Sequence, residues 1–270
     1  MQASDAAFSG SIPALYDRCL GPLLFEPYAR DLAERIAAIA PRRILETAAG
    51  TGIVTAAIVR ALPDAEIVAT DLNEAMLAVA AERVRSPAVS FRQADAQALP
   101  FGDGSFDLVV AQFGAMFFPD RILAYREACR VLKKGGLFLF NVWDSLDANP
   151  GSAAAAAAVA GLFPNDPPNF LARVPFGYHD PVRIEKDLHA AGFDEVAIET
   201  VAMRSRAADP GEAATGLALG TPLRAEIEAR DPARLQEAAD AAAAALRGLA
   251  GEDGALDLPM SALVVSARNL

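Results

Sequence analysis

The stretch Ile44–Thr55 reads ILETAAGTGIVT: a carboxylate, Glu46, closes a short apolar run, and a loop of small residues follows. Gly50 and Gly52 let the backbone of that loop pass close to a ligand with no Cβ in the way. Two more acids follow, Asp71 in TDLNEAML and Asp95 in QADAQALPF. Asp71 lies about twenty residues beyond the glycines, the separation at which a carboxylate accepts the hydroxyls of a ribose. Asp95 is suited to accept from the exocyclic amine of an adenine, with the backbone N–H of Ala96 serving a ring nitrogen. Any one of these acids is equally well explained as a solvated strand end or a helix cap. Three of them around one glycine loop point to a bound ligand. The loop alone decides little, because the dinucleotide fingerprint wants Gly or Ala where Thr55 stands.

The elements that position these residues alternate. RRILETA, AEIVATD, VSFRQAD, FDLVVAQF and LFLFNVWD read as strands, and FDLVVAQF has the unbroken apolar run of a strand buried on both faces. Asp71 and Asp95 would end the second and third of them. TGIVTAAIVRAL, NEAMLAVAAERVR and PDRILAYREACRVL read as helices, with Met76, Ala80 and Val84 on one side of the second. Lys133, Lys134, Gly135 and Gly136 form the expected end of the third helix, the lysines complementing its dipole and the glycines allowing the exit. Strands separated by helices at this spacing imply right-handed parallel crossovers, hence a doubly wound α/β sheet with ligands beyond the carboxyl ends of its strands.

Ahead of the sheet, residues from about 14 to 40 read as helices broken near Gly21-Pro22 and Glu26-Pro27. Behind it, residues from about 145 to 180 read as a loose insertion rich in Ala, Pro and Asn. PVRIEKDLHAAGF then reads as a helix, DEVAIETVAM as a strand, residues from about 207 to 250 as a helical insertion and LPMSALVVSARN as a closing strand. The expected organisation is a set of N-terminal lid helices over 1–40 and a core over 41–270, whose two insertions form an acceptor cap.

Hydrophobic residues make up 53% of the chain, enough to bury a sizeable core. A net charge of -11 repels phosphate backbones and anionic lipid surfaces, which disfavours a nucleic-acid partner. Cys19 and Cys129 belong to no CxxC pattern; they support neither a disulfide framework nor a zinc site and fit a reducing compartment. MQASDAAFSG has no basic segment and does not read as a secretory signal, and AAAAAAVAGLF is too short to span a bilayer. The expectation is a soluble cytoplasmic protein without metal or membrane insertion.

From Arg43 to Asp144 the chain resembles a class I S-adenosylmethionine-dependent methyltransferase of the small-molecule, ubiquinone-biosynthesis-like type. ETAAGTG, TDLNEAML, QADAQALPFGDGSFDLVV and RVLKKGGLFLF match that family's motifs in order. Two positions depart from it: Ala48 stands where glycine is usual, and Lys134 where proline is common. The resemblance implies a Rossmann-like, mostly parallel seven-stranded sheet, with LPMSALVVSARN as its antiparallel strand. It also implies roles. Glu46 would orient the loop and approach the methionine amino group. Gly50 and Gly52, with Ala48 and Thr51 in the same loop, would line the methionine and ribose. Asp71 would hold the ribose diol, Leu72 and Met76 would pack on the adenine, and Asp95 and Ala96 would read its edge. Gln112 and Phe113 would face the methyl group. A sulfonium and an ammonium suit an acidic, aromatic-lined pocket, and such a ligand lacks the pyrophosphate that a dinucleotide loop collects.

Methyl transfer from a sulfonium is an in-line displacement in which charge is lost, so alignment and exclusion of water suffice. No obligatory base is expected; His179 in FGYHD is the candidate, whereas His189 beside Leu188 reads as structural. The segment YDRCLGPLLFEPYAR resembles the family's lid helices, so Tyr16, Phe25 and Tyr28 would cap the cofactor or the substrate, or simply pack the lid. Met116, Phe117 and Phe118 suggest an apolar acceptor pocket, and Trp143 is a further candidate on the acceptor side. QFGAMFFPD lacks the Asn/Asp-Pro-Pro-aromatic run of enzymes that methylate exocyclic base amines. The acceptor is expected to be small and partly apolar, methylated at oxygen, nitrogen or carbon. Two alternatives stay open: an NAD-dependent oxidoreductase, against which Thr55 counts, and a protein that binds S-adenosylmethionine without methyl transfer.

Overall fold

The computed structural model describes Asp5 and residues 12–268; apart from Asp5, the segment MQASDAAFSG lies outside the described residues. Seven strands form one sheet in the order β3-β2-β1-β4-β5-β7-β6. They are β1 (Arg43–Glu46), β2 (Glu66–Asp71), β3 (Val89–Gln93), β4 (Phe106–Gln112), β5 (Leu132–Trp143), β6 (Glu195–Ala207) and β7 (Leu256–Arg268). The pairs β1–β2, β1–β4, β2–β3 and β4–β5 are parallel, and β7 runs antiparallel to β5, as expected for the closing strand. β4 is the central strand by burial: Phe106, Leu108, Val109, Val110 and Ala111 are sealed from solvent, because helices cover both of its faces. Strand order turns back at β1, whose neighbours are β2 and β4, and that reversal opens the crevice beyond the carboxyl ends where ligands sit in such sheets.

Four expectations are corrected. The Lys133–Gly136 run is no helix terminus. The helix Arg121–Val131 stops one residue earlier, and the two lysines and two glycines lie inside β5, looped out by a register shift between Phe106 and Leu108. Gly135, at φ 73°, supplies the left-handed residue that the bulge needs. Residues 12–39 are not broken at the prolines. A π-helical run, Tyr16–Phe25, carries Pro22 and leads without a gap into the helix Glu26–Ile39, whose second residue is Pro27. The insertion after Asp144 is ordered as helices Pro150–Gly161 and Phe170–Arg173, the first started by Pro150 and carried by alanines, the best helix formers. Finally, β3 ends at Gln93, so Asp95 stands in the following loop.

The chain divides into two compact units. One comprises residues up to Pro27, Asp144–Gly177 and Ala202–Ser261; the other comprises Tyr28–Trp143, Tyr178–Val201 and the residues from Ala262 on. In the first, helices Pro150–Gly161, Pro210–Leu219 and Leu235–Arg247 bury an alanine-rich interface that includes Ala155, Ala213, Ala214, Ala242 and Ala243. Small side chains bring these helices close, and Gly216 lets the helix Pro210–Leu219 lie against the π-helical run Tyr16–Phe25: a Cβ there would lie 2.6 Å from Leu20 and 2.7 Å from Cys19. The second unit holds the parallel strands. Among the described residues no helix is long and apolar enough to cross a membrane.

Gly216→Val forces side chains into that contact and is expected to lower stability by about 1–3 kcal/mol in urea denaturation. An unchanged midpoint would mean that the helix is free to shift away from Leu20.

Candidate functional site

Glu46 is the last residue of β1 and Asp71 the last of β2, so their carboxyl groups emerge side by side at the carboxyl edge of the sheet. Both are withdrawn from water, with residue exposures of 1% and 7%. Glu46 Oε2 accepts a 2.6 Å hydrogen bond from the Thr55 hydroxyl, and its main-chain carbonyl accepts from the Thr70 hydroxyl at 2.9 Å. Burial pushes the Glu46 carboxyl up to about 8; the Thr55 hydroxyl opposes the shift and the neighbouring Asp71 charge adds to it. Asp71 Oδ2 accepts from Gly50 N and Oδ1 from Asn73 N, each at 2.8 Å, and burial raises this carboxyl too, against those two N–H donors. Each oxygen keeps a second lone pair for a ligand hydroxyl. Thr55, passed over in the sequence except as a mismatch to the dinucleotide fingerprint, is therefore a site residue. That mismatch was the available signal.

The loop between β1 and the helix Ile53–Ala61 is shaped by backbone. Gly52, at φ 77°, caps that helix, and a Cβ there would lie 2.9 Å from the Cβ of Ala80 on the helix Glu74–Arg83. The helix begins without a side-chain cap, which leaves its first N–H groups to a ligand. Ala48 holds φ 53°, the left-handed conformation for which glycine is usual. Its methyl faces the loop after β4, where a Cβ on Gly114 would come within 2.5 Å of it. The loops after β1 and β4 thus interlock methyl against glycine. Arg83 Nε donates to Thr51 O at 2.9 Å and ties the loop to the helix Glu74–Arg83.

The other sequence-expected residues divide as follows. Leu72 projects into solvent with 53% exposure, an apolar face free to cover a flat ring, while Met76 is buried beneath that helix. Asp95 Oδ1 accepts from Gln97 N at 2.8 Å, and the Gln97 side chain reaches back to both Asp95 oxygens; Ala96 follows half-buried in the same loop. Gln97 Oε1 in turn accepts from Asp120 N at 2.9 Å, joining the loops after β3 and β4. Gln112 is half-buried at the end of β4. Phe113, at φ 49°, lies face to face with Trp143 at 3.9 Å, and Tyr28 meets both rings edge-on at 5.4 and 5.6 Å. Tyr28 is sealed from solvent with its hydroxyl donating to Val201 O, so it buttresses the Phe113–Trp143 pair. Phe117 is half-buried in the single turn Ala115–Phe117, and Met116 beside it is buried. Tyr16 and Phe25 lie in the other unit, stacked on one another at 4.7 Å. His179 is exposed, between buried Tyr178 and the helix cap Asp180.

Three buried side-chain atoms have no hydrogen-bond partner among the described residues: Thr51 Oγ1, Arg121 Nε and Asn141 Nδ2. Thr51 is in the loop after β1, Arg121 opens the helix after β4, and Asn141 pairs with the end of β4 from β5. All three therefore occupy segments at the carboxyl edge. The two buried carboxyl groups of Glu46 and Asp71 and the exposed Leu72 fit a ligand that joins ribose hydroxyls, a flat base and a cation.

The methyltransferase domain family matches residues 45–140. A ubiquinone/menaquinone biosynthesis C-methyltransferase, UbiE, of Pectobacterium carotovorum is 32% identical over 174 residues, 57% of this chain and 67% of that protein. A demethylmenaquinone methyltransferase of Thermus thermophilus is 44% identical over 99 residues, 36% of this chain and 45% of that one. The chain spans less than half the length of several such relatives. Among solved structures, the phosphoethanolamine N-methyltransferase 2 of Haemonchus contortus with S-adenosyl-L-methionine superposes with a TM-score of 0.59 at 18% identity, covering 96% of this chain and 57% of that one. The [4+2]-cyclase SpnF gives the same TM-score at 21% identity, covering 96% and 93%. The chain belongs to the class I S-adenosylmethionine-dependent methyltransferases of the ubiquinone-biosynthesis-like group.

Two outcomes follow from the site's geometry. The folded chain binds a proton at Glu46 that the unfolded chain has released above a pH of about 4.5, so stability falls as pH rises from there to about 8, by at most about 1.4 kcal/mol per unit. The same midpoint series on Glu46→Gln is expected to lose most of that slope; a parallel decline in the variant would assign it to other groups. Gly114→Ala should destabilise the chain, and Ala48→Gly should rescue it, because the clash needs both methyl groups. Simple additivity in that double-mutant cycle would mean that the loops do not interlock.

Proposed function

We propose that this chain transfers a methyl group from S-adenosylmethionine to a small, partly apolar acceptor. The observation that carries the reading is the pair of buried carboxylates, Glu46 and Asp71, at adjacent strand ends around a left-handed glycine loop. When bound, S-adenosylmethionine supplies an electrophilic methyl group on a sulfonium. Asp71, with Gly50 N–H already placed against it, accepts from the ribose hydroxyls, and Leu72 covers the base. Glu46 gives up its proton to meet positive charge. Phe113, fixed against Trp143, walls the transfer end and helps keep water out. No side chain need hold a proton in the displacement itself. The names of the Pectobacterium and Thermus relatives support a small-molecule acceptor, and two cysteines outside any disulfide, Cys19 and Cys129, suit a reducing cytoplasm. Family likeness alone does not choose the reaction, since SpnF shares the fold and is a cyclase.

Calorimetry tests the reading. S-adenosylhomocysteine should bind and NADH should not, and Asp71→Ala should weaken binding by about 1.5–3 kcal/mol through loss of hydrogen bonds to a charged group. Binding of NADH alone would refute the methyl donor. Release of S-adenosylhomocysteine across phenols, quinols, amines and carboxylates then identifies the acceptor; no release with any of them would leave a binding protein.

A further inference from the structure

Arg121 is anomalous in a chain with an excess of acids. It opens the helix Arg121–Val131, directly after the loop that carries Phe113, Met116 and Phe117. Its guanidinium stacks over the ring of Tyr178 with Cζ 4.2 Å from the centroid, and Nη2 donates to Met116 O at 3.1 Å. Nε is buried and has no acceptor. Among the described residues no carboxylate lies within ion-pair distance of it. The nearest candidates are spoken for: Asp187 accepts from the Tyr178 hydroxyl at 2.9 Å and faces Arg183 Nε at 3.9 Å, and Asp120 caps the helix by accepting from Leu123 N. By contrast, Arg35, Arg43, Arg130, Arg173, Arg224, Arg230 and Arg234 each reach a carboxylate.

A guanidinium that has lost water at Nε and found no anion forfeits a hydrogen bond that water would have given it. What its Nη groups offer is a planar fork, a pair of donors that matches a carboxylate in two parallel hydrogen bonds or converges on the single oxygen of a phenolate. Stacking on Tyr178 and the bond to Met116 O hold the fork rigid. Its position is set by the loop after β4, on the side of the crevice away from β2 and Asp71. The rest of the protein repels anions, so an anionic acceptor needs a local positive group of this kind.

We propose that Arg121 is the acceptor-recognising residue, and that the acceptor carries an anionic oxygen, carboxylate or phenolate, on an apolar body. The inference rests on the methyl-transfer reading above and names the substrate class for that site.

The test uses the full chain saturated with S-adenosylhomocysteine and two probes of one shape and different charge, benzoate and benzyl alcohol, titrated by ligand-detected NMR. The wild type is expected to bind benzoate at least about tenfold more tightly than benzyl alcohol. Arg121→Met should abolish that preference and leave S-adenosylhomocysteine affinity unchanged. Arg121→Lys, which keeps charge but not the fork, should retain part of it, and decides the matter if the methionine variant fails to fold. Equal binding of the two probes by the wild type, or a preference that survives in either folded variant at full strength, overturns the proposal. So does a variant that loses S-adenosylhomocysteine affinity instead, because Arg121 would then read the cofactor's carboxylate. Absence of S-adenosylhomocysteine binding by the wild type is a different result: it removes the methyl-transfer reading, whereas a probe failure on the saturated protein removes only the role of Arg121.

Discussion

Two carboxyl groups held out of water at neighbouring strand ends are the constraint on which this structure turns. Burying Glu46 and Asp71 together is unfavourable, and each is partly compensated by fixed donors: the Thr55 hydroxyl for one, the N–H groups of Gly50 and Asn73 for the other. Those same bonds fasten the loop after β1 to the first turn of the following helix and to the end of β2. Compensation is incomplete, as the upward displacement of both carboxyls records. The site is thus a scaffold whose remaining electrostatic deficit is of the sign that a cationic ligand removes. This is preorganisation in the usual sense: the polar groups are aimed before anything arrives, and little needs to reorganise.

The surrounding backbone is committed to the same end. Ala48 and Phe113 both hold left-handed conformations that non-glycine residues avoid, and both occur where a strand of the central pair, β1 or β4, gives way to its loop. Strain of this kind persists only where neighbours over-determine it. Around Ala48 the neighbour is Gly114; around Phe113 it is Asn141, whose main-chain oxygen and Oδ1 both accept from Phe113 N, at 3.1 and 3.0 Å. Substituting glycine's usual place with alanine at 48 has been accommodated by glycine at 114, one strand away.

Much of the sheet was legible in the chain because periodicity and burial speak clearly there. The run FDLVVAQF announced a strand covered on both faces, and Glu46 and Asp71 were placed at the ends of their strands by the apolar runs before them. Asp95 was misplaced by two residues because nothing local marks the end of an edge strand whose burial alternates weakly. The Lys133–Gly136 run misled because a helix terminus and a strand bulge use the same residues, and only pairing with β4 distinguishes them. Pro22 misled for a related reason: a wider helical turn accommodates a residue that breaks an ordinary one. Least legible were the contacts between distant segments. Thr55 against Glu46, Gln97 bridging Asp95 to Asp120, and Arg121 over Tyr178 depend on three-dimensional neighbours that no spacing rule reports.

The stack of Phe113 on Trp143 has a practical side. Trp143 is the sole tryptophan of the chain, it is buried, and the ring lying flat against it belongs to the residue that leaves β4 for the crevice. Tryptophan emission from this protein, excited to the red of its tyrosines, therefore originates at a single indole whose surroundings change whenever the backbone at Phe113 relaxes. The molecule carries its own optical gauge at the transfer end, and no dye or engineered label is needed to watch occupancy there.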